Sequence, residues 1–126
     1  MKFARRFSGL SFLMAGCSRR DGKIQQRLAG TWVVELEHDM RSTRVVQSDG
    51  SYHCEVRRFS DGRTVSLEGT LLVKDGGLID TTTKNSQTDA GLPFVMHGRI
   101  IHMDDRELVT RWDGDTKDTV AHRIQK

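Results

Sequence analysis

An all-β domain, folded as an up-and-down antiparallel barrel of about eight strands behind a short N-terminal helix, is the fold this sequence predicts. Three observations lead there. From Thr31 onward apolar and polar residues alternate with a period of two, the pattern of half-buried strands. Turn residues divide the chain into short runs, at Asp49-Gly50, Asp61-Gly62, Asp75-Gly76-Gly77, Asp104-Asp105 and Asp113-Gly114. Asp-Gly suits the positive φ angles of tight hairpins. Hairpins in such close succession make a meander, and closing a meander into a barrel removes its two exposed edges. A two-sheet sandwich is the competing architecture, which periodicity alone does not separate from a barrel.

The elements follow in chain order. Lys2, Arg5 and Arg6 precede an apolar run over 7–16 that ends in Ala15-Gly16, with Cys17 next. A basic start, a short apolar stretch and small residues before a cut define a secretory signal. The run is too short to span a bilayer, which takes about 20 apolar residues. Residues 18–23 are polar and basic and read as a tether. A short helix over 21–28 is predicted, with Asp21 as its cap, Ile24 and Leu28 on one face, and Gly30 as its stop. In the first strand Trp32, Val34 and Leu36 point one way while Thr31, Glu35 and Glu37 point the other. Further strands are predicted over 42–48, 51–59, 63–73, 77–83, 94–103, 106–112 and 117–124. The polar stretch 84–93, which holds the single proline, Pro93, reads as a surface loop.

Charge is informative once the N-terminal segment is set aside. The chain has 20 Lys+Arg and 17 Asp+Glu. Residues 1–17 hold three of the basic residues and none of the acids, so 17 of each remain and the rest of the chain is formally neutral. Without a basic stripe, nucleic acid is not an expected partner. Roughly 110 residues make one small domain with one core.

Two resemblances add to this reading. Leu13-Met14-Ala15-Gly16-Cys17 resembles the lipobox of bacterial lipoproteins, with Met14 standing where Leu, Val or Ile is usual. The resemblance implies a signal peptide over 1–16 and a thiol at Cys17 that carries diacylglycerol. It also implies an N-terminus acylated with palmitate-type chains, anchored in a membrane of the cell envelope. Ser18 after the cysteine favours the outer membrane, facing the periplasm. With Cys17 lipidated, Cys54 is left as a lone thiol. Gly30-Thr31-Trp32 after a short helix resembles the Gly-x-Trp motif of lipocalin-like proteins, and Ser48-Asp49-Gly50-Ser51-Tyr52 and Asp104-Asp105-Arg106-Glu107-Leu108 resemble hairpins of their small bacterial members. This second resemblance covers about 24–124 and implies a barrel whose end is closed by Trp32, with an arginine across its ring. Arg123 is the first candidate for that arginine and Arg111 the reserve. The resulting layout is a signal over 1–16, an acylated tether over 17–23 and a barrel domain over 24–126.

Candidate residues for lining a ligand cavity are Val34, Leu36, Tyr52, Cys54, Val56, Leu67, Leu108 and Trp112. Val45, Val65 and Leu71 are expected to face inward with them. A barrel of this size is either packed solid or holds one small ligand. His38, His53, His97, His102 and His122 form no ligand spacing, and His53 and Cys54, adjacent on a strand, face opposite sides. No nucleophile elbow, phosphate loop or metal signature is present in the sequence. The expected function is therefore non-enzymatic, with no metal or cofactor: binding of a small apolar ligand or of a partner at the membrane surface. The alternative is a structural or inhibitory envelope protein that binds another protein and has no cavity.

Overall fold

A computed structural model describes residues 19–124. The signal region 1–16, Cys17 and Ser18 lie outside the described residues. The chain runs α1 (Arg19–Arg27), β1 (Gly30–Leu36), β2 (Met40–Val46), β3 (Ser51–Arg58), β4 (Thr64–Lys74), β5 (Gly77–Asn85), β6 (Phe94–Met103), β7 (Glu107–Trp112) and β8 (Thr119–Arg123). Each strand pairs antiparallel with the next, and β1 pairs with β8. The result is a closed eight-stranded up-and-down barrel with one short helix, lipocalin-like in architecture.

Alternation places Leu71, Val73, Leu78, Leu108 and Ala121 in the interior with Trp32, Val46, Tyr52 and Cys54. Burying side chains of this size stabilises the fold by about 1.5–3 kcal/mol each. Gly69 is where β4 crowds its neighbour most: a Cβ there would lie 2.0 Å from the Thr81 carbonyl oxygen. The β4–β5 register shifts at that point, between Glu68 and Gly69, as a close backbone approach requires.

Helix α1 plugs one end of the barrel through two buried polar side chains. Gln25 donates from Nε2 to the Leu71 carbonyl at 2.9 Å and accepts from the Val73 amide at 2.8 Å. It thus serves β4 as one more backbone partner. Asp21 accepts from the amides of Asp75 and Gly76 at 2.8 and 3.0 Å. Asp21 is consequently not the expected cap. The helix begins two residues earlier, at Arg19, and residues read as tether are helical. Asp21 points inward because the β4–β5 turn presents two amides that need an acceptor.

Two expected orientations are corrected. Val45 is 39% exposed and points outward, because Arg44 and Val46 take the inner face of β2. The sequence offers two adjacent valines and no decisive phase. Leu36 shares the inward phase of Trp32 but is 39% exposed, since β1 ends there at the open rim. The β1–β2 turn falls at 37–39, ahead of the expected strand start at 42. His38 and Asp39 adopt positive φ, at 60° and 64°, so β2 starts at Met40. Non-glycine residues in that region are uncommon, and no glycine marks the turn.

Candidate functional site

The plugged end is built around Trp32. The Arg123 guanidinium lies 4.3 Å from the centroid of the Trp32 ring. It donates to the carbonyls of Ala29 and Arg27 at 2.7 and 2.5 Å, and the Trp32 indole N–H donates to the Leu28 carbonyl at 2.8 Å. These are the last carbonyls of α1 and its exit, which have no partner within a helix. One cation and one indole therefore fix the helix to the barrel mouth. Gly30 is required beside them: its φ is +137° and a Cβ would lie 2.5 Å from Arg123 Nη1. Arg111, the reserve candidate, instead pairs with Asp118 at 2.7 Å.

Inside the barrel lies a pocket of about 90 Å³. Of the candidate lining residues, Val34, Leu108 and Trp112 reach it, together with Trp32. Val56 and Leu67 are partly buried and pack against the core. Cys54 is 1% exposed, with its Sγ 3.2 Å from Ser42 Oγ. Tyr52 is buried next to the pocket but held by other groups. Leu36 faces an outer cleft and not the interior.

The pocket's polar wall escaped the sequence reading. Asp80, 2% exposed, pairs through Oδ2 with Arg44 at 3.2 Å. The Tyr52 hydroxyl donates to Asp80 Oδ1 at 2.6 Å and lies 3.1 Å from Thr82 Oγ1. The Arg44 guanidinium covers the Tyr52 ring at 4.4 Å. Burial, and then the hydrogen bond to Asp80, push the Tyr52 hydroxyl up to about 12. It remains a protonated donor at neutral pH. A signal for this network exists in the sequence: Asp80 is in phase with Leu78 on β5, and Arg44 with Val46 on β2. Charged residues in phase with core residues are buried only when paired.

The barrel wall is weakest where β1 meets β8. Their register holds only Trp32 against Arg123 and Val33 against His122, with the Ile124 amide donating to Thr31. Beyond Val33 the strands diverge, leaving a cleft of about 720 Å³ lined by Val34, Leu36, Lys117, Thr119 and Val120 among others. Val34 and Thr119 line both this cleft and the interior pocket. Val34 and Thr119 therefore stand in the wall between the interior pocket and the seam cleft.

The histidines are dispersed: His53 lies near Glu55 and Glu68 on the outer face, and His102 near Asp104 in a turn. Among the described residues no three His, Cys, Asp or Glu side chains converge as a metal-binding group, and no helix is long and apolar enough to cross a membrane.

Fold and site together define a class: a small lipocalin-like barrel, plugged by an N-terminal helix, with a charged pair in its interior and a cleft along the β1–β8 seam. No known family matches the sequence, and no curated protein is significantly similar to it.

Proposed function

We propose that this chain is a lipid-anchored cell-envelope protein whose barrel binds a small apolar ligand without transforming it. The observation that carries the reading is the shared wall at Val34 and Thr119. A pocket of about 90 Å³ is below the roughly 300–1,000 Å³ of ordinary ligand sites. The interior alone therefore takes only the end of a molecule. The seam cleft lodges the remainder against Leu36 and Val120, while Arg44 and Thr110 meet the inserted end. The non-enzymatic reading rests on how the interior polar groups are occupied. Tyr52 holds its proton, Asp80 is engaged by two partners, and Cys54 is covered. The anchor reading rests on the lipobox resemblance at Cys17, and the outer-membrane, periplasm-facing location on Ser18.

A second reading, an envelope protein that binds another protein, is favoured by a different observation. Phe94 and Val95 are 53% and 47% exposed, next to the 84–93 loop, and an apolar pair at a rim suits a protein contact. Native mass spectrometry after gentle extraction separates the two. A stoichiometric small molecule supports the ligand reading; a mass equal to the acylated chain alone overturns it in favour of the second. Cys17→Ala is expected to abolish acyl labelling and leave an uncleaved precursor, and normal processing would sink the anchor.

A further inference from the structure

The plugged end carries a second surface that neither the pocket nor the seam uses. Arg19, Arg20, Lys23 and Arg27 are all exposed on α1. The helix's one acid, Asp21, is 3% exposed and spent on the β4–β5 turn. A cleft of about 820 Å³ separates the helix from the end of β6. Its far wall is mostly apolar, formed by Ile100, Ile101 and Met103 with His102 among them, and Ile101 is 47% exposed. The acids nearby are Asp75, exposed in the β4–β5 turn with its amide on Asp21, Asp104, which bonds His102, and Asp105, 4.0 Å from Arg27. Asp104 and Asp105 lie in the β6–β7 turn; Asp75 is the one of the three beside the first turn of the helix, where Arg19, Arg20 and Lys23 supply three cations.

Basic residues beside an exposed isoleucine are the chemistry of an interfacial membrane contact: cations meet anionic headgroups while the apolar side chain enters the acyl boundary. Chain position selects the same occupant. Cys17 is two residues before Arg19, no more than about 7 Å of extended chain. An anchor at Cys17 would hold this end of the barrel within reach of the bilayer. We propose that the α1–β6 face docks on anionic phospholipid headgroups of the anchoring membrane. The barrel then stands with its plugged end down and its seam cleft away from the lipid. The proposal rests on the reading of Cys17 as the anchor.

The test keeps the two claims apart. The acylated chain carrying Ile101→Cys is labelled with an environment-sensitive dye; Cys54, 1% exposed, is shielded from the reagent. A second sample carries the dye at Asp115→Cys, in the β7–β8 turn at the opposite end. Both are reconstituted into vesicles of phosphatidylcholine alone or mixed with phosphatidylglycerol. Co-flotation reports anchoring; a blue shift and quenching by spin-labelled lipid report docking. The expected result is flotation with both vesicles. The dye signal should appear at 101 only when phosphatidylglycerol is present, and never at 115. The signal should be lost in the variant Arg19→Glu/Arg20→Glu/Lys23→Glu, and in the unaltered helix when salt near 1 M shortens screening to about 3 Å. Flotation with no signal at 101, or with a signal equal in both vesicles, overturns docking and leaves the anchor standing. Failure to float with phosphatidylcholine overturns the anchor, and a phosphatidylglycerol-dependent signal at 101 still supports docking.

Discussion

Tyr52 is the chain's single tyrosine, so phenolate absorbance near 295 nm reads one buried site with no background from other tyrosines. The perturbation is alkaline titration of the folded protein. Burial and the Asp80 hydrogen bond raise this hydroxyl from 10.0 to about 12. Two pH units correspond to about 2.7 kcal/mol of preference for the protonated form. The sign follows from linkage. Below pH about 10 the phenol is protonated in both folded and unfolded chains, and stability does not depend on it. Between about 10 and 12 the unfolded chain loses its proton first, so stability falls as pH rises, by up to about 2.7 kcal/mol in total. Circular dichroism followed in parallel reports whether the barrel persists. The expected outcome is a phenolate midpoint near 12 for the folded chain and near 10 in strong urea. Tyr52→Phe should remove this part of the alkaline destabilisation. Asp80→Asn should lower the midpoint while leaving it above 10, because burial, the larger cause, remains. A folded barrel that ionises near pH 10 refutes the buried Tyr52–Asp80 bond and the polar wall built on it.

Three further outcomes are expected. Trp32→Ala removes the plug against which Arg123 lies and should destabilise the domain by about 3–5 kcal/mol in denaturant unfolding; a near-neutral effect contradicts the closed end. Gln25→Ala leaves the Leu71 carbonyl and the Val73 amide without their side-chain partner and should cost about 2–4 kcal/mol by the same measurement. Asp80→Ala strands Arg44 and should cost about 3 kcal/mol, whereas Arg44→Met/Asp80→Leu should recover most of that loss. Failure of the double variant to recover would mean that the two side chains do not act as a pair.

The strands and turns were legible because Asp-Gly pairs and period-two alternation are local signals. The architecture followed because successive hairpins leave only closure or stacking as ways to bury the sheet. What the sequence hid is non-local. The phase of β2 depends on Arg44 meeting Asp80, which lies on β5, two strands beyond its neighbour β3. The inward turn of Asp21 depends on the amides of Asp75 and Gly76, 54 and 55 residues away. The β1–β2 turn was missed because His38 and Asp39 take a backbone conformation usually announced by glycine. Within the site, the apolar lining was read in part, through Val34, Leu108 and Trp112. The charged wall was not, because a charge in an apolar phase looks like an error until its partner is known.

The β1–β8 seam also sets the order in which the molecule is assembled. Every other strand pair joins neighbours along the chain and closes a short loop. The seam joins Trp32 to Arg123, across most of the domain, and only two register pairs return the entropy of that closure. Long-range contacts of this kind form late, since the cost of closing the loop precedes any gain. Six of the seven hairpin contacts, those joining β1 through β7, precede the arrival of the final strand. Until then the chain is an open, curled sheet with the edges of β1 and β7 bare. Arg123 is then the latch: its arrival covers Trp32, ties off the helix and ends the period in which those edges are open to other strands.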